Sequence, residues 1–206
     1  MSPSLWSCKV DAAKVRLALK LLAPYIAVGV FWLWMHDAWL AILAYHLQIL
    51  FWALEARPNI GKPHNRRILL LALPAAVAGP LLYVLLPHIV REDLSTWLSQ
   101  HHVSDLSLLL MIPYFGLLHP CLEQIHWGPL RDSTPLAHPM FAGYHMLVLY
   151  SLLSTPWLLL CFVVLVVASA IWQQMAKRSG SLTLPALSHI LADFGVIVAA
   201  CIRVLR

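Results

Sequence analysis

The sequence predicts an all-α membrane protein, in which about seven transmembrane helices form one bundle over residues 1–206. Three observations predict this class. Hydrophobic residues make up 61% of the chain and charged residues 11%, whereas soluble domains carry about 25% charged residues. Apolar runs of about 20 residues, long enough to cross a bilayer core, recur from Val15 to Leu205. Basic residues are also divided unevenly between the two ends of these runs, as in multi-pass membrane proteins.

The apolar runs define the individual spans. The first is not followed by the small-residue cleavage site of a signal peptide and ends in the aromatic segment Phe31–Met35, so we expect it to be retained. The fifth is short, and the break at Ser154-Thr155-Pro156 is compatible with a kink or with a loop. The predicted spans are Val15–Met35, Ala38–Leu54, Ile68–Val90, Leu106–Trp127, Pro139–Leu153, Pro156–Met175 and Leu182–Leu205.

Basic residues predict the orientation in the membrane. With seven spans, three of the 14 Lys and Arg residues (Arg91, Arg203 and Arg206) fall on one side, and the other eleven fall on the side of the N-terminus. Because cytoplasmic loops are enriched in Lys and Arg, we expect the N-terminus and the Glu55–Arg67 loop to face the cytoplasm, in the cytoplasmic (inner) membrane. This topology accounts for the net charge of +5, and no soluble basic surface is long enough for nucleic-acid binding.

The connection between the third and fourth spans has a pattern of its own. Leu94, Trp97 and Leu98 alternate with polar residues at helical spacing, which predicts a short helix along the membrane interface. His101 and His102 follow this segment and are expected to be solvated loop residues.

Ionisable residues in the fourth, fifth and seventh predicted spans are the main functional candidates. Each such residue costs about 2.5–3.5 kcal/mol in a membrane helix and is therefore a functional candidate. Within one span, spacings of three or four residues place side chains on one helical face. The candidates are His119, Glu123 and His126 in the fourth span, His145 in the fifth, and His189 and Asp193 in the seventh.

The predicted topology places several of these candidates at one depth. Glu123 lies near the cytoplasmic end of the fourth span, while His145 and His189 lie within the first turns of the fifth and seventh. A shared polar site under one membrane face explains this coincidence. Isolated histidines such as His46 and His88 are instead expected to bond a neighbouring helix.

The sequence from Met175 to Asp193, MAKRSGSLTLPALSHILAD, resembles the closing motif of the CPBP intramembrane proteases. This family includes the type II CAAX prenyl endopeptidase and the Abi proteins, and its motif has a basic pair, Gly-Ser-Leu, a proline and HxxxN or HxxxD. The segment Phe141–His145 is similar to the family's FxxxH motif, and the resemblance covers residues 95–198. The first motif, EExxxRG, is degenerate: alignment on either Pro120 or Gly128 leaves out one glutamate and the arginine.

The resemblance implies a glutamic-type intramembrane peptidase without a cofactor, acting on a membrane protein or a lipidated peptide. Glu123 would be the general base that activates water, and His145 its partner. His189 and Asp193 would form the side of the site that stabilises the oxyanion. Since an ionised carboxylate cannot donate a hydrogen bond, Asp193 is more suited to orienting His189.

Two other functions remain open at this point. Glu123-x-x-His126 matches the ExxH pairs of helical di-iron sites, so a site for iron, zinc, copper or manganese is an alternative. The loss of the motif arginine and of one glutamate favours a third function, an inactive membrane scaffold or partner subunit. The ligands of the metal alternative are His119, Glu123, His126, His145 and His189, with Asp193 completing the shell.

Overall fold

The computed structural model describes residues 11–56, 61 and 66–206, so most of the predicted Glu55–Arg67 loop lies outside the described residues. The described chain is helical and contains no strand, apart from one isolated bridge between Val90 and Leu153. The predicted all-α class is therefore confirmed. The helices are α1 (Ala12–Trp34), α2 (Ala38–Ala56), α3 (Arg67–Ile89), α4 (Leu94–Gln100), α5 (Asp105–Ser133), α6 (Ala137–Leu149), α7 (Thr155–Ser179) and α8 (Thr183–Val204).

Five of these helices, α1, α3, α5, α7 and α8, are long and apolar enough to cross a membrane. The apolar part of α2, Ala38–Leu54, is shorter. Leucine and valine side chains cover the outer surfaces of α3 and α7, where Leu70, Val84 and Leu159 are more than half exposed. An outward-facing apolar surface of this kind is stable in lipid, so the bundle fits a bilayer environment.

Contacts between loops define two ends of the bundle. At one end, the Arg91 amide donates to the Leu152 carbonyl (2.7 Å) and the Ala38 amide to the His101 carbonyl (3.1 Å). At the other end, Gln173 Nε2 donates to Asp132 Oδ1 (2.9 Å), next to the connection from α5 to α6. The connections after α1, α3, α4 and α6 therefore lie at one end of the bundle, and the connection from α5 to α6 lies at the other.

The predicted fifth span, Pro139–Leu153, is short, as expected, but its helix ends four residues earlier than predicted. Its helix, α6, has 13 residues and is only about 20 Å long, whereas the hydrocarbon core is about 30 Å thick. The chain turns after Leu149, whose carbonyl accepts from the amide of Leu153 at 2.9 Å. Extended Ser154 then precedes α7, and Pro156 occupies the first turn, where a missing N–H costs no hydrogen bond. The break is a loop.

Two glycines bring α3 and α8 into close contact. A Cβ atom on Gly79 would lie 2.6 Å from the Cα of Gly195, so neither position has room for a side chain. Close backbone approach through small residues is a common mode of helix packing in membranes. At the start of α8, Gly180 adopts a left-handed conformation (φ 65°) that ends α7 and lets the chain reverse. These contacts set the position of α8 and hence of its histidine and aspartate.

The short helix α4 is present, as predicted, but one of the two following histidines is not solvated. His102 is exposed, whereas His101 is 5% exposed and stacks on Trp32 of α1 with ring centroids 3.9 Å apart. The His101 Nδ1 atom lies 2.8 Å from the Trp97 carbonyl, to which it donates. The prediction for His101 was wrong because the aromatic end of α1 covers it.

Candidate functional site

Glu123 on α5 is fully buried, with an exposed fraction of 0%. Its Oε1 atom accepts hydrogen bonds from the hydroxyls of Tyr45 on α2 (2.9 Å) and Tyr144 on α6. Trp127 Nε1 in turn donates to the Tyr45 oxygen (2.7 Å), which leaves the Tyr45 proton for the carboxylate. Two tyrosines and one tryptophan therefore hold one oxygen of the carboxylate in place.

The other oxygen of Glu123, Oε2, accepts no hydrogen bond from the described residues. Two ring nitrogens face it, Nε2 of His119 at 3.6 Å and Nε2 of His189 at 3.7 Å. These distances are longer than normal hydrogen bonds. Asp193 Oδ2 lies 3.4 Å from His189 Nε2, so α5 and α8 bring His119, Glu123, His189 and Asp193 together.

The hydrogen-bond directions determine which nitrogen of His189 carries the proton. Arg131 Nη1 lies 2.7 Å from Gln124 Oε1, and arginine can only donate, so the Gln124 oxygen must face it. The Gln124 NH₂ group then faces His189 Nδ1 at 3.1 Å and donates to it. Neutral His189 therefore carries its proton on Nε2, directed toward Glu123 and Asp193.

Arg131 was missed as a site residue, because its charge was assigned to a cytoplasmic loop. The helix continues beyond the predicted end at Trp127, and Arg131 is only 3% exposed. Its Nε atom donates to Ser169 Oγ on α7 (2.8 Å), and its guanidinium lies 5.4 Å from the centre of the Phe141 ring. The available signal was its spacing of seven residues from Gln124, which places both on one face of a helix.

His145 reaches Glu123 indirectly, through a tyrosine. Its Nδ1 atom donates to the carbonyl of Phe141 (2.8 Å), one turn earlier on α6. Its Nε2 atom lies 3.1 Å from the Tyr144 hydroxyl, which also contacts Glu123 Oε1. The predicted pair of Glu123 and His145 is therefore bridged by Tyr144.

His126 does not join this cluster. Its Nε2 atom lies 3.1 Å from the carbonyl of Lys20 on α1, to which it donates. Helical side chains lean toward the N-terminus of their helix, so Glu123 reaches back toward His119 and away from His126. The sequence spacing placed the three on one face but did not account for this direction.

His46 on α2 bonds a neighbouring helix, and that neighbour belongs to the site. Its Nε2 atom lies 2.9 Å from His119 Nδ1, and its Nδ1 atom lies 2.7 Å from the Tyr114 hydroxyl. Both tyrosines that hold Glu123 directly precede a histidine, in Tyr45-His46 and Tyr144-His145. This repeated pair was the signal by which sequence reasoning could have found them.

The described residues contain no group of three or more His, Cys, Asp or Glu side chains arranged to hold a metal ion. The cluster is a buried network of hydrogen bonds and close polar contacts around the Glu123 carboxylate. Comparisons of the chain with known protein families, with curated proteins and with solved structures find no match.

Proposed function

We propose that the protein is a glutamic-type intramembrane peptidase, a divergent member of the CPBP family, with Glu123 as the general base. The main support is the contrast between the two oxygens of this carboxylate. Oε1 accepts two tyrosine hydroxyls, whereas Oε2 accepts no hydrogen bond from the described residues. A general base needs a free lone pair at the atom that takes the proton, and Oε2 has one.

In the proposed reaction, water lies within about 2.6–3.2 Å of Glu123 Oε2 and gives it a proton. The water oxygen attacks the carbonyl carbon of the peptide bond, and the carbonyl electron pair moves onto its oxygen. His189 donates its Nε2 proton in a hydrogen bond to this oxyanion. The oxyanion then reforms the carbonyl, the C–N bond breaks, and Glu123 returns its proton to the leaving nitrogen.

Asp193 acts on this reaction through His189. Its Oδ2 atom lies 3.4 Å from His189 Nε2, close enough to direct the ring and its proton. Trp172 stacks on the same ring with centroids 4.1 Å apart and restricts its rotation. This assigns Asp193 the orienting role, since it cannot donate to the oxyanion while ionised.

His145 acts through Tyr144. The Tyr144 hydroxyl has one proton, which it donates to Glu123 Oε1. The contact at 3.1 Å between Tyr144 and His145 Nε2 is then a hydrogen bond only if that nitrogen is protonated. Since Nδ1 already carries a proton, Nε2 of the neutral ring has a lone pair, so His145 packs against the Tyr144 ring (centroids 4.0 Å apart) and positions its hydroxyl beside Glu123.

The proposed setting is the cytoplasmic membrane, with seven passes and the N-terminus inside. The charge distribution supports this orientation. Because Glu123 lies inside the bundle, the proposed substrates are membrane-embedded: a transmembrane protein segment or a lipidated peptide.

One observation favours a metal site as a second candidate. Adjacent ligand atoms of a tetrahedral site with bonds of about 2.1 Å are about 3.4 Å apart, and Glu123 Oε2 lies at similar distances from His119 Nε2 (3.6 Å) and His189 Nε2 (3.7 Å). However, Nε2 of His189 carries a proton in the observed hydrogen-bond network and cannot bind a metal in that form. Metal binding would require Gln124 to turn away from Arg131, so the peptidase is the better-supported function.

The test uses purified protein in liposomes, supplied with a panel of prenylated peptides and single transmembrane peptides. Cleavage is measured by mass spectrometry, and bound metal is measured in the same samples. We expect cleavage by the unaltered protein and its loss in Glu123→Gln. The matched control is Glu92→Gln, which alters a carboxylate of the loop before α4 and should leave cleavage unchanged.

Other outcomes would overturn the proposal. Cleavage that persists in Glu123→Gln would remove this residue as the base. Stoichiometric metal that falls together with activity in His119→Ala would support the metal site. Absence of cleavage across the whole panel, with the protein folded, would favour the scaffold.

A further inference from the structure

We infer that Tyr114, His46 and His119 form a proton relay that connects the buried Glu123 carboxylate to the surface of the bundle. The inference deepens the proposed function and rests on it for its purpose, because it gives the general base a route for proton exchange. The order of the relay is Tyr114, His46, His119 and Glu123. The first three of these residues have no role in the proposed reaction.

The relay follows two hydrogen bonds and one longer contact, which ends at Glu123. The Tyr114 hydroxyl lies 2.7 Å from His46 Nδ1, and His46 Nε2 lies 2.9 Å from His119 Nδ1. His119 Nε2 then lies 3.6 Å from Glu123 Oε2, the oxygen without a hydrogen bond. His46 (3% exposed) and His119 (4% exposed) are buried, whereas Tyr114 is only partly buried. Tyr114 is therefore the member of the line that lies nearest the surface of the bundle.

The backbone of α5 is shaped to make this line. Residues Tyr114–Leu118 form a π-helical turn, in which the amide of His119 donates to the carbonyl of Tyr114 five residues earlier. In an α-helix, residues five apart point about 140° from each other, but the wider π turn brings them closer to one face. Pro120 favours this turn because it has no N–H to donate to the Gly116 carbonyl. Both Tyr114 and His119 can thus contact His46.

A neutral imidazole has one donor and one acceptor nitrogen. The hydrogen bonds of the relay can therefore all donate toward Glu123 or all donate away from it. With Glu123 ionised, Tyr114 donates to His46, His46 Nε2–H donates to His119, and His119 Nε2–H faces Glu123 Oε2. With Glu123 protonated on Oε2, all these bonds reverse, and both histidines carry their protons on Nδ1. The tautomers of His46 and His119 are therefore coupled to each other and to Glu123.

The change from the first direction to the second adds one proton to the line. An external proton binds the Tyr114 oxygen, while the Tyr114 proton moves to His46 Nδ1. The His46 Nε2 proton moves to His119 Nδ1, and the His119 Nε2 proton moves to Glu123 Oε2. Each intermediate group gains one proton and loses one, so only Glu123 changes its charge.

The remaining neighbours of Glu123 close off the other approaches. The Oε1 side is occupied by Tyr45 from α2 and Tyr144 from α6, with His145 behind Tyr144. On α8, the His189 ring is held by the Gln124 amide, which Arg131 orients. The titratable groups that interact with Glu123 are His119 and Arg131 on its own helix, Tyr45 on α2, Tyr144 and His145 on α6, and His189 on α8.

The test measures protonation of Glu123 directly and does not require a substrate. In purified protein in liposomes, infrared difference spectra identify the Glu123 carboxyl band as the one lost in Glu123→Gln. The rate at which this band shifts after mixing with D₂O reports proton exchange. We expect Tyr114→Phe to slow the shift by about 100-fold, the low end of what a positioned proton-transfer group contributes. Tyr83→Phe, which removes a hydroxyl on α3, should leave the rate unchanged.

A second measurement follows the tautomers. Nitrogen-15 NMR of histidine-labelled protein distinguishes protons on Nδ1 from protons on Nε2. When the Glu123 carboxyl band is present, His46 and His119 should both carry their protons on Nδ1. Exchange in Tyr114→Phe within about twofold of the unaltered protein, an unchanged tautomer of either histidine, or no Glu123 band at any pH would overturn the relay. Slowed exchange without peptide cleavage would retain the relay and reject the peptidase.

Discussion

Gln124 on α5 and His189 on α8 are joined by a hydrogen bond of 3.1 Å in which the glutamine amide is the donor. Arg131 fixes the direction of this bond by occupying the glutamine oxygen at 2.7 Å. The buried positive charge of Arg131 thus determines which ring nitrogen of His189 carries the proton. Through Gln124 and His189, Arg131 influences Glu123 without contacting it.

Replacing Gln124 with leucine should destabilise the protein. Gln124→Leu leaves Arg131 Nη1 and His189 Nδ1 without partners in the bundle interior, at an expected cost of about 3 kcal/mol. Reversible unfolding in mixed detergent micelles measures this change. Gln100→Leu, at an exposed position on α4, is the matched control and should stay within about 0.5 kcal/mol of the unaltered protein. Equal stabilities of the two variants would contradict the buried network.

Removing the Tyr144 hydroxyl should have the same effect as removing the His145 ring. Tyr144→Phe disconnects His145 from Glu123 while keeping the aromatic packing, so we expect cleavage to fall by about 100-fold or more. Cleavage by His145→Ala should fall by a similar factor. The double variant should lose no more cleavage activity than either single variant. The control is Tyr25→Phe, whose hydroxyl donates to the Met140 carbonyl at 2.8 Å. Additive losses in the double variant would show that the two residues act separately.

The α3–α8 crossing should tolerate no added methyl group. Gly79→Ala places a Cβ 2.6 Å from the Cα of Gly195, so the helices must separate, at a cost of about 1–3 kcal/mol. Because α8 carries His189, cleavage should fall as well. Gly29→Ala is the matched control, since a Cβ there meets nothing within 4 Å. Thermal unfolding in liposomes compares the two, and a stability loss in both would point to backbone effects instead of the crossing.

His119 and His126 should differ in their importance. His119→Ala removes a ring that faces Glu123 Oε2 at 3.6 Å and should lower cleavage strongly. His126→Ala removes a ring that bonds the Lys20 carbonyl and should reduce cleavage less than about threefold. Initial rates at saturating peptide measure both. A large loss in His126→Ala, accompanied by loss of bound metal, would favour the di-iron-like reading of Glu123-x-x-His126.

The orientation can be tested with single cysteines at the two ends of the bundle. In a background without the four native cysteines, Ser133→Cys should react with a membrane-impermeant thiol reagent only from the cytoplasmic side. Ser95→Cys, at the opposite end, should react only from outside; both positions are exposed. The reverse pattern would contradict the assignment from the charge distribution.

Much of the fold was readable from local properties of the sequence. Hydropathy located the long helices, because each must be apolar over its own length to be stable in lipid. Helical spacing correctly paired His119 with Glu123 and His189 with Asp193, since residues four apart lie on one face wherever the helix packs. The length of α6 was not readable, because the turn after Leu149 depends on its contacts with the end of α3.

Which helices meet at Glu123 was decided only by the tertiary structure. Nothing in the apolar sequence of α2 indicates that Tyr45 and His46 face α5, and nothing around Arg131 indicates that Ser169 will cover it. Spacing within a helix is fixed by the geometry of its backbone. The rotation of one helix against another is fixed by side-chain packing between them, as at Gly79 and Gly195, and therefore by residues far apart in the chain.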